Sequence, residues 1–373
     1  MSKIVVVTGS RAEYWLLRPL LSKLKAAGCL KLLVTGEHLQ GPGLEKIRAD
    51  GFIVDKEVEC LLKEDSYLEM GKAISRGISH FSDVFSEIKP NIVVLLGDRY
   101  EIFSAAVAAY SLKIPIAHIH GGEVTHGALD DGFRHTISKM AGLHFVSHES
   151  YRQRLIKMGE NPEKIHTVGA IGLDNLDVSQ YENNETFFKK YPFLKNKDYF
   201  LLTLHASTRC DENIESQAKA VIQALDSFKN FHVLVTQSNI DPGGLYLNEQ
   251  WNQWSHQKDN IHFVPILGDD YLVAAAYASV VIGNSSSGIL EAPYLNRPVL
   301  NLGNRQDGRV MPKGVYTEKF DSEAIQLSLE KILNTYDGSE QVYGAPGQVV
   351  SKIYDILTGT FFSNLIYKKF YDA

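Results

Sequence analysis

Several short stretches of this 373-residue chain carry the side chains with which proton and phosphate chemistry are done. Gly97-Asp98-Arg99 follows the apolar run Ile92–Leu96. A carboxylate at such a strand end is a usual place for a general acid or base, although the same residue would also serve to cap the next helix. Ile116–Ile119 leads into His120-Gly121-Gly122-Glu123, with Asp130, Asp131, Arg134 and His135 soon after. Six of the 13 histidines fall between His118 and His148, a density that invites a metal. Against a metal, His118 and His120 share a strand and lack the i, i+4 spacing of a helical HExxH site. The expectation is an acid/base cluster and no metal, with the two glycines allowing close backbone approach to a ligand. His118, His144 and His148 are expected to be packed or internally satisfied.

A second group suits an anion. Thr8-Gly9-Ser10-Arg11 follows Ile4–Val7 and lacks the GxGxxG pattern, so a dinucleotide fingerprint is absent and no nicotinamide cofactor is expected. Arg11 adds a fixed charge to a helix start, unless it is merely solvated. Gly283-Asn284-Ser285-Ser286-Ser287-Gly288 precedes a helical segment with Glu291 in its first turns. Hydroxyls and unpaired backbone N–H groups at a helix start make a phosphate cradle, and a plain serine cap is the alternative. Glu291 is placed to accept hydrogen bonds from a ribose diol, by analogy with the ribose-binding acids of nucleotide folds. Arg305 and Arg309, in the loop after Val299–Leu302, bring charge to offset a diphosphate.

These residues need elements to position them. Continuous apolar runs recur, rich in Val, Ile and Leu: Ile4–Val7, Leu32–Val34, Ile92–Leu96, Ile116–Ile119 and His144–Val146. Between them Tyr14–Lys25 and Glu101–Ser111 carry apolar residues at helical spacing. Continuous rather than alternating hydrophobicity marks strands buried on both faces, and the alternation with helices marks a doubly wound α/β fold. The polar stretch 177–197 interrupts the pattern and reads as a linker with room for a short helix. The alternation then restarts with Tyr199–Leu204, helix Ile214–Phe228, His232–Val235, His262–Val264, helix Tyr271–Ala278, Val280–Ile282, helix Ser287–Tyr294 and Val299–Leu302. Two Rossmann-like domains are expected, 1–176 and 198–347, facing each other across a cleft. Residues 348–373 form a C-terminal helix expected to return to the first. Ligands of open α/β sheets bind outside the carboxyl ends of the strands, where all these residues fall. His205 and the Thr236-Gln237-Ser238-Asn239 run also end strands.

Composition excludes other classes. Apolar residues make up 44% and charged residues 22%, which rules out a disordered or fibrous chain. Lys plus Arg is 38 against 44 for Asp plus Glu, a net −6 that disfavours nucleic acid and anionic membranes as partners. Three scattered cysteines without a CxxC argue for a reducing compartment, and Ile4–Val7 is too short for a signal peptide. The longest apolar stretch, Tyr271–Gly283, is too short to span a bilayer, so a cytoplasmic protein is expected.

TGSRAEY, GDRYE, HIHGGE followed by DDGFRH, and GNSSSGILEAP followed by NLGNRQDGR, in this order, resemble the UDP-N-acetylglucosamine 2-epimerase family, most closely its hydrolysing, sialic-acid-type bacterial branch. The resemblance spans nearly the whole chain. It implies a GT-B fold with the active site between the domains. It also implies conversion of UDP-N-acetylglucosamine to N-acetylmannosamine and UDP, a homodimer or homotetramer, and no cofactor. Position by position it implies nucleotide binding by Arg11, His205, Ser285, Ser286, Glu291 and Arg305, and active-site roles for Asp98, Asp130 and Arg134. Asn239 and Arg99 are grouped with the UDP-binding residues, and His120 and Glu123 with the catalytic ones. Two departures stand out: His120 occupies a position where much of the family has Glu, and Leu16 one where much of it has Lys. Arg11, Arg99 or Arg305 must then carry more of the diphosphate charge.

The expected chemistry is elimination of UDP to a glycal, then hydration with protonation at C2, using two acid/base groups that flank the ring. Asp98, His120, Glu123 and Asp130 are the pool. Within the family, a UDP-diacetamido-trideoxyhexose is the alternative substrate. The rival functions are a GT-B glycosyltransferase, a metal-dependent hydrolase and a non-catalytic nucleotide-sugar sensor.

Overall fold

The computed structural model describes residues 2–64, 66–125, 129–176, 181, 184–206, 213–238 and 243–372. The chain divides into two compact units. The first comprises the chain up to Glu123, Leu129–Asn175 and the segment from Tyr343 onward; the second comprises Leu176–Val342 with the few residues that follow Glu123.

Among the described residues the first unit holds a seven-stranded parallel sheet. Its strands are β1 (Ile4–Thr8), β2 (Leu30–Thr35), β3 (Lys56–Val58), β4 (Ile92–Leu96), β5 (Ile116–Ile119), β6 (Leu143–Val146) and β7 (Ile165–Thr167), in the order β3-β2-β1-β4-β5-β6-β7. Side chains of a strand alternate between faces, and here both faces are covered. Ile4 and Val6 of β1, with Ile92, Val94 and Leu96 of β4, enter one core. Val5, Val7, Val93 and Leu95 enter the other, against Phe81 and Phe85 of helix Tyr67–Ile88. Helix Val349–Gly359 adds Val349, Ile353 and Leu357 to the first core. Full burial of each such side chain stabilises by about 1.5–3 kcal/mol.

The second unit holds a six-stranded parallel sheet: β8 (Tyr199–Thr203), β9 (His232–Val235), β10 (Ile261–Phe263), β11 (Val280–Gly283), β12 (Val299–Leu302) and β13 (Val315–Glu318), in the order β10-β9-β8-β11-β12-β13. Phe200, Leu202, Val233, Val235, Ile282 and Leu300 share a core with Trp251 and Trp254 of helix Gly244–Gln257. Each unit is thus Rossmann-like, and the chain has the two-domain α/β architecture of the GT-B class. The strand order reverses at β1/β4 in the first sheet and at β8/β11 in the second, and ligands of doubly wound sheets sit at such switch points.

The edge strands and one helix differ from the sequence expectation. Edge strands β3, β7 and β13 are short and partly polar, so they lack the continuous apolar signal. The expected helix Ser287–Tyr294 is one α-turn, Ser287–Leu290, followed by a 3-10 turn, Ala292–Leu295. Pro293 supplies no N–H and biases Ala292 away from the α region, which ends the α-turn there. Within 177–197, helix Glu185–Lys190 forms, and Phe187, Tyr191 and Leu194 are buried.

Candidate active site

The switch point of the first sheet gathers the acid/base residues. β4 ends at Gly97, and Asp98 accepts a charge-assisted hydrogen bond from Nη2 of Arg134, on helix Leu129–Met140. Arg134 is buried, and burial alone would lower its pKa; Asp98, Glu123 and Asp131 raise it instead, so the guanidinium stays charged. Asp131 faces this cation, 3.5 Å from Nη1, and Asp130 is exposed on the first turn of the helix. His118 lies beneath. Its Nε2–H donates to the Gly97 carbonyl at 2.7 Å and its Nδ1 accepts from the Ser138 hydroxyl at 3.0 Å, tying the end of β4 to the helix that carries Arg134. Burial pushes the His118 pKa down to about 3, so it is a neutral strut.

The turn after β5 gathers the rest. His120 Nδ1 lies 3.3 Å from Glu123 Oε1, and the Ser147 hydroxyl donates to the same oxygen at 2.8 Å. His120 Nε2 accepts from the Ile171 N–H at 3.4 Å, which places the ring proton on Nδ1, facing the carboxylate. His120 has φ +65°, an uncommon conformation for a residue with a Cβ and of the kind that clusters at functional sites. The glycines that follow are close-packed against protein. A Cβ on Gly121 would stand 2.8 Å from Ser138 Oγ, and one on Gly122 2.6 Å from the Tyr151 carbonyl. Gly122 also has φ +76°, so packing and backbone conformation both call for glycine in this turn.

His144 lies against Glu160, and His148 caps helix Glu149–Lys157 through Nδ1. Among the described residues no group of three or more His, Cys, Asp or Glu side chains is arranged to hold a metal ion.

The remaining first-unit candidates are Arg11 and Arg99. Arg11 opens helix Arg11–Ala26 next to the Ser10 cap and is exposed. Arg99 donates from Nε to Glu101 at 2.8 Å and lies 3.1 Å from Glu37, so its charge is balanced by two carboxylates. The Glu101 side chain is fully buried and Glu13 nearly so; burial, with Glu101 beside it, pushes the Glu13 pKa up to about 8. Glu13, Glu37 and Glu101 were not among the sequence candidates, because nothing in their local spacing separates them from surface acids.

At the second switch point Asn284 is the hub. Its Oδ1 accepts from the His205 N–H at 2.8 Å, and its Nδ2 donates to the His205 carbonyl at 2.8 Å. The Asn284 carbonyl accepts from Arg305 Nη1 at 3.0 Å and from Gln306 Nε2 at 2.7 Å. This one residue therefore joins the end of β8, the end of β11 and the loop after β12. It is preceded by Gly283, with φ +132°, where a Cβ would stand 1.9 Å from the Thr203 carbonyl oxygen. Burial, with Arg305 nearby, pushes the His205 pKa down to about 3. Ser285 and Ser286 open the α-turn half-exposed, and Ser285 Oγ accepts from the Ser287 N–H at 3.4 Å. With a single turn behind them, the serines owe little to a helix dipole and more to their own hydroxyls and N–H groups. Glu291 is buried, and burial outweighs Ser287 and Arg309 to push its pKa up to about 8. Asn239 lies outside the described residues.

A family model described as UDP-N-acetylglucosamine 2-epimerase matches residues 23–358. A Campylobacter jejuni protein named GDP/UDP-N,N'-diacetylbacillosamine 2-epimerase (hydrolyzing) is 35% identical, over 87% of this chain and 85% of its own. The Escherichia coli polysialic acid biosynthesis protein P7 is 34% identical, over 100% of this chain and 98% of its own. In fold, the chain is similar to a Neisseria meningitidis UDP-GlcNAc 2-epimerase solved with UDP-GlcNAc, with TM-score 0.83 and 19% identity over 96% of this chain and 100% of that one.

Proposed function

Because the chain belongs to the UDP-N-acetylglucosamine 2-epimerase family, we propose that it is a hydrolysing 2-epimerase that converts UDP-N-acetylglucosamine to N-acetylmannosamine and UDP. The observation that carries this reading is the presence of two proton-handling sets at the carboxyl ends of the neighbouring strands β4 and β5: Asp98 held by Arg134, and His120 held on Glu123.

The C2 proton of the sugar is not adjacent to a carbonyl and is weakly acidic. It is removed as the C1–O bond to UDP breaks: the C2–H electron pair becomes the C1=C2 bond of a glycal, and the C1–O pair leaves on UDP. Water then adds, its hydroxyl to C1, while a proton reaches C2 from the opposite face. Asp98, oriented by Arg134, takes the first proton. The His120–Glu123 pair, which shares a ring proton across 3.3 Å, delivers the second. Positioned acid/base groups of this kind contribute roughly a hundred- to ten-thousandfold in rate. Asp130 is the exposed member of the pool and contacts substrate rather than the moving proton.

The diphosphate gains charge as it leaves. Arg11, Arg305, Ser285 and Ser286 stabilise it, each preorganised donor being worth about 3 kcal/mol. Arg99, balanced by Glu37 and Glu101, orients the end of β4 rather than neutralising phosphate. Glu291 receives the ribose diol, and His205 lies on the uridine side.

A second substrate is favoured by the name of the Campylobacter relative: a UDP-diacetamido-trideoxyhexose, processed by the same steps. The test is incubation with each nucleotide sugar and no acceptor, with NMR of the products. Free 2-epimerised sugar plus UDP, insensitive to EDTA, is expected. Sugar still attached to UDP, or no free sugar from either substrate, overturns the reading. The substrate with the larger kcat/KM decides between the two.

A further inference from the structure

The first unit contains a second cluster of charges that the chemistry above does not use. Glu160 is almost fully buried, and its carboxylate is shared by Lys139 at 2.7 Å, His144 Nε2 at 3.1 Å and Lys368. Burial would raise its pKa, but hydrogen bonds from His144, Lys139 and Lys368 hold it at about 2. Lys368 also donates to the carbonyls of Ser138 at 3.2 Å, Lys139 at 2.7 Å and Ala141 at 2.8 Å. These are the terminal carbonyls of helix Leu129–Met140 and the residue just beyond it, groups left without intrahelical partners. A half-buried ammonium there is a C-cap supplied from more than 220 residues away in sequence. The flanking residues hold Lys368 in place. Leu365 is buried, the Phe370 ring lies 4.9 Å beneath Lys139 Nζ and fills the space a Cβ on Gly159 would take, and the Tyr371 N–H donates to the Gly159 carbonyl at 3.0 Å.

The helix so clamped carries Arg134 on the turn before Ser138, and Arg134 holds Asp98. His118, bonded to Ser138 and Gly97, links the clamped end of the helix to the end of β4. We propose that Leu365–Tyr371 is a strap that sets the position of the active-site helix, with Lys368 as a positioning residue for the Asp98–Arg134 pair. The strap touches no reacting atom. It acts by fixing where Arg134 stands along and around the helix axis. Misplacement of a catalytic group by about 1 Å can cost about a hundredfold in rate. The proposal takes its activity readout from the function proposed above.

The experiment uses the full-length chain and the variants Lys368→Met, Lys368→Arg and Glu160→Gln, assayed per folded molecule, with hydrogen exchange followed on peptides from both units. Lys368→Met is expected to lower kcat roughly ten- to hundredfold with KM and UDP affinity within about twofold of wild type. Exchange across residues 129–141 is expected to rise at least about tenfold while second-unit peptides stay unchanged. Lys368→Arg is expected to restore most of kcat, because the guanidinium reaches the same carbonyls. If Lys368→Met has a wild-type kcat per folded molecule, or leaves exchange over 129–141 unchanged, the proposal is overturned. If the wild type itself turns over neither nucleotide sugar, the functional reading fails, and the exchange measurement alone decides the strap. Glu160→Gln, which keeps the shape and removes the charge, is expected to repeat the exchange signature, and an unchanged pattern there also counts against the strap.

Discussion

The two switch points solve opposite problems. In the first unit the charged side chains near the proposed chemistry are already paired: Asp98 has Arg134, Arg134 also has Asp131, Glu123 has His120 and the Ser147 hydroxyl, and Arg99 has Glu37 and Glu101. In the second unit the scaffold is neutral. The Asn284 amide and backbone hold His205, Arg305 and Gln306, while Glu291 is buried with its carboxyl pKa pushed up to about 8. A site that moves protons must hold its groups rigidly before substrate arrives, because reorganisation at the moment of reaction raises the barrier. A site that grips a ligand gains when the ligand itself completes the hydrogen bonds of buried groups.

The contrast is broken most severely by isosteric changes that remove a carboxylate charge in the first unit. Asp98→Asn and Glu123→Gln are expected to reduce kcat by about a thousandfold or more, with UDP affinity by calorimetry within a few-fold of wild type. Near-normal sugar release by either variant removes that residue from its role, and a parallel loss of UDP binding removes the division of labour between the units.

The contrast is sharpened by Glu291. A carboxyl with a pKa of about 8 is largely protonated at pH 7, and hydrogen bonds from a ribose diol favour its ionised form. UDP binding at pH 7 is therefore expected to release up to about one proton, seen as a dependence of the calorimetric enthalpy on buffer ionisation heat. Glu291→Gln is expected to abolish the release and weaken binding about tenfold. Release that persists unchanged in the variant assigns the proton elsewhere.

A smaller effect is common to both units. His118 and His205, one in each, have folded pKa values of about 3 against an unfolded value near 6.5. Both are neutral when folded, so their stabilising contribution is complete above about pH 6.5 and is lost progressively as pH falls toward 3, where the unfolded chain binds more protons. Urea midpoints are expected to fall steadily from pH 7 to pH 5. His118→Asn is expected to flatten that dependence for the first unit alone, and a midpoint that is level over the range contradicts the burial of these rings.

How far this was legible in the sequence follows from how local each signal is. The strands β1, β4, β5, β8 and β11 announce themselves because burial on both faces demands unbroken apolar runs. The residues at their carboxyl ends, from Asp98 to Ser286, are therefore placed by position alone. Edge strands such as Lys56–Val58 carry no such run, and Pro293 shortens a helix that periodicity extends to Tyr294. Partner choice was the least legible. That Asp131 faces Arg134 depends on helix phase within one residue. That Asn284 joins three loops, or that Lys368 caps a helix ending at Met140, depends on contacts between chain segments far apart in sequence.

The central claim is that glycosyl bond cleavage is coupled to loss and return of the C2 proton at the first unit's switch point. Turnover of UDP-N-acetylglucosamine in heavy water, with NMR of the released sugar, tests it directly. The account predicts one deuterium at C2 of every N-acetylmannosamine molecule formed. Released sugar with protium at C2 would contradict it.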